Sequence, residues 1–389
     1  MRLNILLLIV LFSSCSDSGP SWEETLVRQT SGKSSVKSID SLVLPFMKHY
    51  EIPGLSMAVL KDNKLVFAKG YGFADMANKT PVTDSSLFRI GTISCTITAI
   101  AIMKLIEHGE LTMGRHVFGP NSILGNAGAS KPYNPLINQI TIENLLQQTS
   151  GGWSDGDDPV YMPVLRRSSV SRDTLTGFTL DNIPIKNTPG NVSEFSGFGY
   201  FVLGRVIEKV TGQPYSAWVK KNILEPIGIK DMQLTADREE EKNPNESSCY
   251  NPIRRLIPGD DRMEEPFFYG RADASFGWIA SATDLARVIA AASSDSSVLL
   301  QPSTQKIMFT GSKADPHTAS GWFYNDDYKN RYWQAEYQGL TVEFVRAYNG
   351  YSWALLVNTN RPGYRNFQAD LDQLVWKVLV NNKMEWPNN

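Results

Sequence analysis

Near the start of the chain, GLSMAVL (54–60) and KLVFAKGYG (64–72) alternate apolar and polar positions around a polar KDN turn, which predicts a β-hairpin. A helix over about 36–50 precedes it. Four more segments of strand character, SGWFYND, RYWQAEYQ, LTVEFVRAY and YSWALLVNTN, follow one another towards the other end, with Asn349-Gly350 as a tight turn. An amphipathic helix over about 364–381 closes the pattern. The middle of the chain has a helical period instead. In TIENLLQQTSGG, Thr141 stands as an N-cap and the glycine pair as a stop. GYFVLGRVIEKVTGQ puts Leu203, Val206, Ile207 and Val210 on one face and ends at Gly212, and SATDLARVIAAAS opens with Ser281 and Asp284 at capping-box spacing. Strands at both ends with helices between them predict an α/β (α+β) fold. One antiparallel sheet would be built from about 50–75 and 318–360, with a mostly helical region of about 95–270 inserted.

Composition changes this picture little. A length of 389 residues exceeds the usual size of a single core, and 42% apolar and 20% charged residues with a net charge of -2 describe an ordinary globular chain. A basic stripe is absent, so nucleic acid is not an expected partner. The first fifteen residues, MRLNILLLIVLFSSC, differ from the rest: one Arg, an apolar run from Ile5 to Phe12, two serines and Cys15. The run is too short to span a bilayer but suits a signal peptide. The arrangement resembles a lipoprotein signal, with Cys15 lipidated and residues 16–35 a polar tether to a domain over 36–385. The expected location is therefore exported and lipid-anchored to a bacterial membrane. Cys95 and Cys249 would remain, able to form one disulfide but no framework; no metal-ligand spacing occurs, and no cofactor is implied.

Four blocks, FRIGTISCTITAIAIMKLIEHGELTM, ITIENLLQQTSGG, GYFVLGRVIEKVTGQPYSAWVKKNILEPIGIKDMQL and ADASFGWIASATDLARV, appear in order. Together they resemble the serine β-lactamase and penicillin-binding-protein-like hydrolases, particularly the class C β-lactamase, D-Ala-D-Ala carboxypeptidase and esterase branch. The resemblance implies a β-lactamase/transpeptidase-like fold, an antiparallel sheet flanked by helices, with the active site at its junction with the helical region. It also implies acyl transfer by a Ser at a helix start with a Lys three residues later, a Tyr-x-Asn triplet, and a strand bearing Lys-Thr-Gly or His-x-Gly.

Residue by residue, the motifs have lost their chemistry. The string Gly91-Thr92-Ile93-Ser94-Cys95-Thr96 puts Thr92 at the nucleophile position and Cys95 at the lysine's. PGNVSEFSGFGY puts Phe195 and Gly197 where Tyr and Asn are expected, and Tyr337-Gln338-Gly339 fits best as the third element. A thiol of ordinary pKa is a poor base and a phenyl ring has no proton to give, so acyl transfer of the family's kind is expected to be negligible. The first expectation is a non-catalytic homologue whose cleft binds a small-molecule, peptide or glycan ligand of cell-wall type, with Trp153, Trp278 and Trp322 near its border. The alternative is an active esterase, amidase or glycosidase, using Thr92 or the carboxylates Glu194, Glu343 and Asp273 if these face one pocket. Those acids could equally be surface groups or partners for Arg89, Arg271 and Arg346. Ser94 lacks a following Lys, and Cys95 reads as a small buried residue.

Overall fold

The computed structural model describes residues 37–380, apart from 133, 163–169, 238–240, 253–269, 295–296, 326 and 328. The expected signal, Cys15 and tether lie outside the described residues. Helix α1 (Lys37–His49) leads into β1 (Gly54–Lys61) and β2 (Lys64–Asp75), with β3 (Thr80–Pro81) at their edge. Next come β4 (Phe88–Arg89), α2 (Ser94–Glu107), α3 (Gly197–Thr211), β5 (Gln233–Leu234), α4 (Asp273–Phe276), β6 (Trp278–Ala280) and α5 (Ala282–Ser293). The chain ends with β7 (Thr318–Ala319), β8 (Trp322–Asn325), β9 (Asn330–Tyr337), β10 (Leu340–Arg346), β11 (Tyr351–Val357) and α6 (Phe367–Val380).

The main sheet runs β3-β2-β1-β11-β10-β9-β8-β7 and is antiparallel at every pairing. As the pattern predicted, the two ends of the chain meet in it, with Leu55 opposite Val357. A smaller sheet, β4-β6-β5, ties the entry of α2 to the segment before α5.

Because strand side chains alternate between faces, the sheet separates two cores. Val342 and Phe344 of β10 and Trp333 and Ala335 of β9 join the core shared with α2, α3 and α5. Val345, Trp353 and Leu355 join the other, against α1 and α6. The local signals behave as their chemistry requires. Thr141 makes a reciprocal cap with Asn144, and the Ser281 hydroxyl accepts from the Asp284 N–H at 3.0 Å. Gly212 closes α3 in the left-handed conformation. Cys95 and Cys249 are both free and buried, so no disulfide joins them.

Candidate functional site

Gly91 has φ +54, a backbone turn that favours glycine, and it swings the chain from β4 into the one-turn start of α2. Thr92 sits on that turn, half-buried, at the lip of a cleft of about 410 Å³. Its Oγ1 accepts a hydrogen bond from the Trp333 indole N–H at 3.1 Å. Trp333 of β9 therefore faces Thr92 from the strand. Tyr337 lines the cleft near the end of β9, whereas Gly339 lies in the following turn, where its N–H donates to Asn360 Oδ1 at 2.8 Å.

Below Thr92, Cys95 is wholly buried, its thiol donating to the Ser275 carbonyl at 3.5 Å. Burial, with the charge of Asp158 added, pushes that thiol well above its ordinary pKa. Burial thus favours the neutral thiol. Ser94 is equally buried, its hydroxyl accepting from the Trp278 N–H at 3.2 Å.

At the start of α3 the Ser196 hydroxyl caps Gly199 N–H, and the Asp158 carboxylate accepts from Gly197 N–H at 2.6 Å and Phe198 N–H at 3.3 Å. Asp158 is 1% exposed and lines the cleft, a position that sequence patterning did not single out. Its charge is held there by helix N–H groups and by the positive end of the α3 dipole. Gly197 has no side chain for a structural reason: a Cβ there would lie 2.9 Å from the Tyr161 ring. Tyr161 fills the space and packs against Phe276 and Tyr337, with ring centroids 6.0 and 5.9 Å apart. Phe195, at the tyrosine position, meets Trp333 edge to face at 6.1 Å, and Phe323 lies 4.9 Å from the same indole. Six aromatic rings therefore wall the cleft.

Other expected residues lie elsewhere. The three carboxylates do not share a pocket. Glu194 is exposed and accepts from the Ser154 hydroxyl at 2.8 Å. Asp273 is buried in an ion-pair network with Arg205 at 2.8 Å and Arg172 at 3.1 Å. Glu343 faces the opposite side of the sheet, where Gln334 and Trp353 donate to it at 3.1 and 3.3 Å. Paired-carboxylate catalysis lacks its geometry, because the groups face different surroundings. Nor do the acids pair as suggested: Arg89 bonds Glu246, Arg346 bonds Ser352, and Arg271 reaches the Val170 carbonyl. Trp153, Trp278 and Trp322 are core residues, each at most 1% exposed, with the Trp153 and Trp278 indoles donating to Ile183 O and Tyr215 OH. Among the described residues lining the cleft there is no Lys, Arg or His.

The Beta-lactamase family model matches residues 39–379. Protein flp of Staphylococcus aureus strain MW2 is 27% identical over 305 residues, covering 75% of this chain and 57% of flp. Esterase EstB of Burkholderia gladioli is 26% identical over 249 residues, covering 61% of this chain and 60% of EstB. The chain thus spans little more than half the length of these curated relatives. Among solved structures, the octameric penicillin-binding protein homologue from Pyrococcus abyssi superposes with a TM-score of 0.70 at 23% identity, over 91% of this chain and 79% of that one. The D-amino acid amidase from Ochrobactrum anthropi SV3, complexed with L-phenylalanine amide, gives 0.71 at 18% identity, over 89% and 99%. These two likenesses show the fold. With the family model spanning nearly all the described residues and the site geometry at the expected junction, the chain belongs to the beta-lactamase family.

Proposed function

We propose that this chain is a ligand-binding member of its family, in which the catalytic cleft is kept for recognition and acyl transfer is lost. The observation that carries this reading is the 3.1 Å hydrogen bond from Trp333 to Thr92. An indole nitrogen donates and does not accept, so the group meeting the nucleophile position cannot take its proton. Cys95, sealed from solvent with its pKa raised, does not replace the lysine, and Phe195 does not replace the phenol. The six rings suit a small ligand that presents apolar or aromatic faces. A peptide-class ligand fits best, in keeping with the L-phenylalanine amide bound by the Ochrobactrum amidase.

A second reading, hydrolysis through Thr92, is favoured by one observation: its hydroxyl reaches the cleft at the start of α2. Treatment with a fluorophosphonate and with a fluorescent penicillin separates the two. No label on the chain, and no ester or cephalosporin hydrolysis that Thr92→Ala abolishes, is the expected result. Covalent label mapped to Thr92 would overturn it.

We also propose export and lipid anchoring through Cys15, on the sequence pattern alone. Among the described residues no helix is long and apolar enough to cross a membrane. Metabolic labelling with a radioactive fatty acid in a bacterial host is expected to mark the full chain and spare Cys15→Ala. Equal labelling of both would refute the anchor.

A further inference from the structure

A cavity larger than the cleft lies elsewhere in the molecule. It is a groove of about 670 Å³ on the other side of the main sheet, between α6 and strands β8, β9 and β10. Its size falls within the range of small-molecule sites, about 300–1,000 Å³. Strand β9 is the wall common to both cavities.

Beside the apolar Val345 and Ala369, two further kinds of side chain line this groove. One kind is polar and neutral: Asn325, Asn330, Gln334, Gln368 and Gln373, to which Asp372 adds one carboxyl. Side-chain amides donate and accept at once, which is what a hydroxyl group also does. The other kind is aromatic: Tyr332, Tyr348 and Trp376. Ring faces of this kind stack on the C–H faces of sugar rings, while phenol and indole groups offer polar edges.

The Trp376 ring is placed in advance of any ligand. Trp376 stands edge-on against Trp353 at 4.8 Å. Tyr348 is 68% exposed, and its backbone N–H is held by Asn330 Oδ1 at 3.3 Å. Gln334 is held by Glu343 at 3.1 Å and by the Gln368 carbonyl at 3.4 Å. Among the described lining residues no Lys, Arg or His appears, which weighs against an anionic ligand.

We infer that this groove is a binding site for a neutral oligosaccharide, with amides reading the hydroxyl groups and the Tyr348 and Trp376 rings supporting the sugar faces. It is independent of the cleft and of the fate of Thr92, so it stands whether or not the chain hydrolyses anything.

The test is titration calorimetry of the full chain with cellotriose and, separately, with tri-N-acetylchitotriose. At least one is expected to bind, with a change in tryptophan fluorescence. Gln373→Ala and Tyr348→Ala, both at exposed positions of the groove, are expected to weaken that binding by about tenfold or more while leaving the thermal melt in place. Phe195→Ala, in the cleft, is expected to change it by less than about twofold. Absence of binding by both sugars at millimolar concentration overturns the proposal, as does binding that survives both groove variants or is lost in Phe195→Ala. A negatively charged oligosaccharide binding in place of the neutral ones would also overturn it.

Discussion

Glu343 shows how much a single residue's surroundings decide. Its carboxyl is 2% exposed between Gln334 and Trp353, and burial, reinforced by the charge of Asp372, pushes its pKa up to about 8 from an ordinary 4.5. A carboxyl whose folded pKa is raised stabilises the fold fully below its unfolded pKa. That contribution is lost as pH climbs from about 4.5 through 8. At about 1.4 kcal/mol per unit, several kcal/mol are involved. Urea midpoints measured at pH 5 and pH 8.5 are therefore expected to fall with pH in the native chain. Glu343→Gln, which cannot ionise, should flatten that slope and match or exceed the native chain at pH 8.5. An unchanged slope in Glu343→Gln would assign the pH dependence elsewhere. At this scale the sequence was informative about identity and silent about facing. LTVEFV reveals a strand, but whether Glu343 looks into the cleft depends on register, and one residue of slip exchanges the faces. The same ambiguity hid Trp333. The alternation in RYWQAEYQ puts Trp333, Ala335 and Tyr337 on one face, yet only the hydrogen bond from the Trp333 indole shows which of them meets Thr92.

Among elements, α3 ties the fold to the site most closely. Its first eleven residues are buried, so its leading N–H groups need partners within the protein. Ser196 supplies one acceptor, and Asp158, from a separate loop, supplies the next two while also accepting from Val160 N–H at 3.0 Å. Asp158→Ala strands these donors, and chemical denaturation is expected to show a loss of about 2–4 kcal/mol. Asp158→Asn, which keeps an acceptor, should lose clearly less; equal losses would mean that shape, not hydrogen bonding, sets the cost. The helix itself was legible from its 3.6-residue period and from Gly212. Asp158 was not, since it lies in a stretch without periodicity and is recruited from 39 residues away. Gly197 likewise reads as a missing asparagine in the sequence, whereas in the structure it is the space that Tyr161 occupies.

At the scale of the whole molecule, the antiparallel sheet and the inserted helical region were readable because patterning marks buried faces, and four motif blocks kept their order. Which strands are neighbours was readable only in outline, because pairing across the chain leaves no local trace. That pairing has a kinetic side. β1 finds its partner β11 about 300 residues later, so the central seam of the sheet closes only after nearly all the chain has been made. Until then the apolar row of β1 has β2 on one side and nothing native on the other. A nascent chain of this topology stays open and exposed during synthesis, a state suited to threading through a pore and hazardous in a crowded compartment. A chain cut short before Tyr351 would be held indefinitely at that last step.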